Sequence, residues 1–129
     1  MADHPPLTLT MLPGTLAICR LAPDAEVPAW TWTGELASVT RTPDELSIIC
    51  RADAVPPGVR SEGGWRCLKV RGPLDFALTG ILAALTAPLA AAGIALFAVS
   101  TYDTDYLLVK AEMLDRAAET LRGAGHRVE

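Results

Sequence analysis

The chain has 129 residues, half of them hydrophobic, and a formal net charge of −4. That is enough apolar material for one compact domain or two very small modules sharing a core, and it excludes global disorder. The acidic balance and the scattered lysines and arginines argue against a nucleic-acid partner, whose affinity would need clustered positive charge.

The N-terminal residues 1–6 read as a loose tail with no basic stretch, so no signal peptide is expected there. Residues 7–12 form a short candidate strand, ended by Pro13-Gly14, and residues 15–21 a second. The next stretch, APDAEVPAWTWTGE, is rich in turn formers and has room for only a short helix. Residues 36–42 and 46–50 read as a hairpin joined across Pro43-Asp44-Glu45. Residues 54–64, with PPG and GG, suit a module boundary.

The second half continues with a strand at 65–71, a Gly72-Pro73 turn and a helix over 74–92. Pro73 suits a first helical turn and Gly93 a C-terminal stop. Pro88 lies inside that helix and crowds the carbonyl of Ala84. A hairpin follows at 94–101 and 105–110, then a helix over 111–122. Its Leu114, Ala117, Ala118 and Leu121 make one apolar face. A short strand closes the chain at 126–129. The order β-α-β-β-α-β is ferredoxin-like and gives an α+β fold.

No charge occurs between Asp75 and Asp103, a run long enough to cross a bilayer. Pro88 and Gly93 interrupt it, and its alanines drive insertion weakly, so a buried helix followed by a buried strand is the expectation. Cys19, Cys50 and Cys67 are odd in number and far apart, which fits neither a disulfide framework nor a zinc site. They read as small apolar strand residues in a reducing, cytoplasmic setting.

An internal repeat marks the hairpins. LASVTRTPDELSIIC from Leu36 aligns with LFAVSTYDTDYLLVK from Leu96, sixty residues apart, matching Val39 with Val99, Ile48 with Leu108 and Ile49 with Val109. Upstream, Arg20 and Asp24 align with Arg71 and Asp75, so the first copy is shorter around its first helix.

Two constellations could carry chemistry. In VRGPLDFALTG, a strand runs through a glycine turn into a helix start, whose N–H groups can hold a carboxylate. Asp75 can pair with an ammonium there or simply cap the helix. In STYDTDY, Asp103 and Asp105 are either ordinary turn aspartates or a carboxylate pair. No nucleophile motif, phosphate loop or metal-ligand spacing is present, so neither an enzyme nor a cofactor is expected. The tryptophans Trp30, Trp32 and Trp65 read as packing residues before pocket residues.

GPLDF and STYDTDY in this order, with the intervening helix and glycine-ended turn, resemble the regulatory ACT domains of aspartate kinases. With LTMLPGTLAICRL and SVTRTPDELSIIC added, residues 7–125 resemble small tandem-ACT proteins related to the cytosolic arginine sensor family. The resemblance implies a degenerate ACT-like module at 7–64 and an ACT module at 65–129, with an amino acid or similar small ligand held at their interface. The positions it implies are Gly72 and Asp75 of the strand-to-helix loop, Thr101, Tyr102 and Asp105 of the hairpin, and Ser38 and Val39 of the first module. It implies a sensor or regulatory role, with a regulated enzyme or a second copy as partner and no membrane. Two modules stand where the animal sensor has four, and no kinase domain accompanies them, so arginine specificity does not carry over. A structural or partner-binding ACT protein without a ligand is the alternative.

Overall fold

The structure is a computed structural model and describes residues 6–75 and 79–129. Among the described residues, eight strands, two α-helices and three short 3-10 turns follow one another. The strands are β1 (Thr8–Met11), β2 (Leu16–Leu21), β3 (Ser38–Arg41), β4 (Leu46–Arg51), β5 (Arg60–Val70), β6 (Phe97–Ser100), β7 (Asp105–Lys110) and β8 (Arg127–Val128). The helices are α1 (Ile81–Ala91) and α2 (Leu114–Gly123). They fall into two compact units, Pro13–Trp65 and Arg66–Glu129, and the second also takes the N-terminal strand β1.

In the unit Pro13–Trp65, antiparallel strands lie in the order β3-β4-β2-β5, the last contributing its N-terminal half. Ala17 and Cys19 of β2 alternate with outward residues, as half-buried strands require. They pack with Leu46, Ile48 and Cys50 of β4 into a small core. Leu21, Val27, Trp30 and Val39 close over it. The turn-rich connection after β2 holds only a 3-10 turn, Ala29–Thr31, in keeping with its prolines.

In the other unit, β6-β7-β5-β1-β8 is the strand order, with β1 antiparallel to β5 and parallel to β8. Leu107, Leu108 and Val109 of β7 are all fully buried, the unbroken apolar run expected of a strand covered on both faces. Ile81, Leu85 and Leu89 of α1 and Leu114, Ala117, Ala118 and Leu121 of α2 pack on Leu9, Leu68, Val70, Leu107 and Val109. The α2 stripe is the one its spacing predicts. The uncharged run resolves into helix and strand: α1 stops at Ala91, Gly93 follows with φ +74°, and β6 begins at Phe97. Among the described residues no helix is long and apolar enough to cross a membrane.

Four expectations need adjusting. The strand after the helix, expected to be buried, is β6, in which Phe97, Ala98 and Ser100 are exposed. The helix expected over 74–92 begins at Ile81, with Gly80 at φ +76° as its N-cap. Leu74 and Asp75 lie in the preceding loop, Phe76 to Leu78 lie outside the described residues, and Pro73 follows a cis peptide bond instead of opening the helix. Strand β5 starts at Arg60, inside the stretch expected to be a boundary, because it pairs with β2 through Arg60, Ser61 and Glu62. The repeat is real in structure but runs fifty-nine residues apart: Ser38 with Phe97, Leu46 with Asp105, and the 3-10 turns Ala52–Ala54 with Ala111–Met113.

Candidate functional site

A cavity of about 200 Å³ opens in the unit formed by Arg66–Glu129 and β1. It is lined by Leu74 and Asp75 of the loop after β5, Ile81 at the start of α1, and the hairpin residues 100–105. Of the residues singled out from sequence, Asp75, Thr101, Tyr102 and Asp105 therefore share one concave site. Gly72 does not line the cavity but packs against two residues that do, Asp103 and Thr104. A Cβ there would stand 2.8 Å from the Asp103 carbonyl oxygen and 3.0 Å from the Thr104 Cβ, so only glycine permits this approach of loop to turn. Ser38 and Val39 sit on β3, opposite Ile49 and Ile48 of β4, in the unit Pro13–Trp65.

Hydrogen bonds hold the loop and the turn together. The Leu74 N–H donates to the Asp103 carbonyl at 2.6 Å. The Thr104 hydroxyl donates to the Val70 carbonyl at 2.6 Å. The turn closes on itself through the Thr101 N–H to the Thr104 carbonyl, at 2.8 Å, and the Thr101 hydroxyl to the same oxygen, at 3.1 Å. The Ser100 hydroxyl donates to Asp105 Oδ1 at 2.6 Å, orienting that carboxylate at the rim. Tyr102, 80 % exposed, stands at the mouth.

Thr104 is the residue that sequence reasoning missed. It is 5 % exposed and anchors the hairpin to β5, whereas its neighbours Tyr102 and Asp103 are exposed. A threonine ending a hairpin turn looks like an ordinary turn residue, and only the bond to Val70 gives it this role. Leu74 and Ile81 were also unforeseen as lining residues, because the helix was expected to start earlier.

The cavity presents polar and acidic residues beside an apolar wall. Asp75, Asp103 and Asp105 line the cavity together with Ser100 and Thr101, while the Thr104 hydroxyl is taken up by the Val70 carbonyl. The first turn of α1 opens on it at Ile81, and the N–H groups of such a turn have no acceptor within their own helix. Among the described residues no group of three His, Cys, Asp or Glu side chains could hold a metal ion. The three thiols are buried and unbridged. Burial pushes Cys67 up to about 12 and, helped by its neighbour Cys19, Cys50 up to about 11. Burial likewise raises Cys19, with a hydrogen bond to Cys50 offsetting part of the effect. Protonated thiols are poor nucleophiles at neutral pH.

Comparison with known proteins identifies the architecture. An ACT-domain family model matches residues 60–123, and a second model, described as an N-terminal domain, matches residues 14–58. The chain is 43 % identical to a structural-genomics protein from Agrobacterium tumefaciens, covering 98 % of this chain and 94 % of that one at a TM-score of 0.92. A Vibrio cholerae protein of unknown function, described as a possible transport protein, is 19 % identical with a TM-score of 0.76, over 93 % of this chain and 91 % of that one. The regulatory subunit of aspartate kinase from Thermus thermophilus, in a ligand-free form, is 12 % identical with a TM-score of 0.63, over 88 % and 93 %. At the last two identities the likeness is one of fold. No curated protein matches. With the βαββαβ order, the two packed helices and the family match in agreement, the chain belongs to the ACT-domain family, a family of regulatory, small-ligand-binding modules.

Proposed function

We propose that the protein is a non-catalytic, cytoplasmic sensor that binds a free amino acid in the cavity beneath the β6–β7 turn. The observation that carries this reading is the convergence of Asp75 and the residues 100–105 on one small concavity at the start of α1. An α-amino acid carries a carboxylate and an ammonium on one carbon. Its carboxylate suits the N–H groups of the first helical turn, and its ammonium suits the carboxylates of Asp75 and Asp105. Hydroxyls of Ser100 and Thr101 supply the orienting bonds that small-ligand sites use for specificity. Leu74 and Ile81 offer an apolar wall to the side chain. The contribution expected of Ser38 and Val39 rests on the sequence resemblance alone. Buried unbridged cysteines suit a reducing compartment. A regulated enzyme or a second copy of the chain would read out the bound state, since a ligand acts as a signal only by preferring one arrangement over another.

A thermal-shift series with the common free amino acids tests the proposal, because a ligand specific to the native state raises its stability by mass action. One class of amino acid should raise the melting temperature. Calorimetric titration should then show Asp75→Asn weakening binding by about 1.5–3 kcal/mol, the worth of a charge-assisted pair. Ser38→Ala, tested in parallel, should weaken it less. Unchanged melting with every amino acid would overturn the reading in favour of a partner-binding ACT protein.

A further inference from the structure

We propose that His126 is a proton-sensitive latch that ties the start of the chain's first strand and the helix α1 to the C-terminal segment, and releases the first of these on acidification. It lies three residues before the last position of the sequence, yet it is 9 % exposed and both ring nitrogens are engaged. Nδ1 lies 3.1 Å from the Leu7 backbone nitrogen. A backbone N–H can only donate, so Nδ1 must be the acceptor and the ring proton must sit on Nε2. Nε2 stands 3.3 Å from the Ala84 carbonyl oxygen.

That carbonyl has a reason to need an outside donor. Ala84 lies in the first turn of α1, and its helical partner four residues on is Pro88, which has no N–H. The imidazole Nε2–H fills the gap left in the helix ladder, which is one of the recognised ways a proline inside a helix is accommodated. The same ring accepts from Leu7, one residue before β1, while the Leu7 carbonyl accepts from the Arg127 N–H at 2.9 Å. One neutral side chain thus joins β1, α1 and the segment leading into β8.

Adding a proton to the ring turns Nδ1 into a donor and sets it against the Leu7 N–H, so the bond must break. Among the described residues, the elements around the ring offer an imidazolium little in exchange. Neither α1 nor β1 carries a titratable side chain, and Asp115, Arg116, Glu119, Arg122, Arg127 and Glu129 of α2 and the C-terminal segment are all exposed. Arg116 and Arg122 donate to the Ala92 and Val128 carbonyls, and Glu129 pairs with Arg71. Protonation therefore removes the acceptor of the Leu7 N–H, a buried hydrogen bond, and supplies no replacement from these groups.

Nitrogen-15 spectra of the full chain, recorded from about pH 8 to pH 5, the range in which histidine changes charge, provide the test. Neutral His126 should show the Nε2–H tautomer. Its titration should coincide with a loss of Leu7 amide protection of about tenfold, the factor equivalent to one backbone hydrogen bond. Across the same range the melting temperature should drop further for the wild type than for His126→Asn, whose amide oxygen can accept from Leu7 at every pH. His4→Asn should retain the wild-type drop. An Nδ1–H tautomer, or titration of the ring with Leu7 protection unchanged, would overturn the latch. Both readouts use the wild-type protein, so they hold if His126→Asn fails to fold.

Discussion

The turn between β3 and β4 and the turn between β6 and β7 close in the same way and differ in what surrounds them. In the first, the Thr42 N–H donates to the Glu45 carbonyl at 2.9 Å, and the Thr42 hydroxyl accepts from the Asp44 and Glu45 N–H groups. In the second, Thr101 makes with Thr104 the bonds that Thr42 makes with Glu45. Even the third residue matches: the Asp44 carbonyl accepts from the Arg20 guanidinium at 3.0 Å, and the Asp103 carbonyl accepts from the Leu74 N–H at 2.6 Å. One carbonyl is met by a long, exposed side chain and the other by main chain. Glu45 ends the first turn, while Thr104 ends the second with its hydroxyl buried on Val70. A turn conserved in its own hydrogen bonds becomes a cavity wall only where a loop can reach it, and Gly72 supplies that reach.

Substitutions at matched positions can break this comparison. Gly72→Ala should have the largest effect, roughly 2–3 kcal/mol, because the new methyl meets backbone that must shift. Urea unfolding would measure it, and the amino-acid response should disappear with it. A loss under 0.5 kcal/mol would mean that the loop and turn separate easily.

Thr104→Val should come next, at about 1–2 kcal/mol, since the Val70 carbonyl then loses its buried partner while the side-chain volume is kept. The matched change Glu45→Val lies at a partly exposed position and should cost only a few tenths of a kcal/mol. Equal costs in the two denaturation curves would contradict the difference drawn between the turns.

Thr42→Ala and Thr101→Ala sharpen the likeness instead. Each removes the hydroxyl that closes its own turn, and each should cost about 0.5–1 kcal/mol. Chemical denaturation of the two variants side by side should give values within a few tenths of a kcal/mol of each other. A twofold or larger disparity would show that the turns are not equivalent.

The repeat shows where sequence patterns stop being informative. Matching apolar residues favours a spacing of sixty, which sets Val39 on Val99 and Ile49 on Val109. The strands, turns and 3-10 segments agree on fifty-nine, which sets Thr42 on Thr101 and Asp44 on Asp103. Leu107, Leu108 and Val109 are all buried, so a continuous apolar run reads equally well in either register. A one-residue slip reverses every side chain between faces. Hydrogen-bonding turn residues settle the register because their geometry tolerates no slip.

Sequence by itself determined the element order, the apolar stripe of α2 and the stop at Gly93, because each depends on patterns within a few residues of chain. Tertiary structure decided that α1 starts at Ile81, that Asp75 lies in a loop and not at the helix cap, and that β1 pairs between β5 and β8. It also decided that Thr104 anchors the cavity wall and that His126 serves the carbonyl left open by Pro88. Those outcomes depend on partners dozens of residues away, as with Val70 for Thr104 and Ala84 for His126. A local pattern states which groups need a hydrogen bond, and only the packed fold states which distant group supplies it.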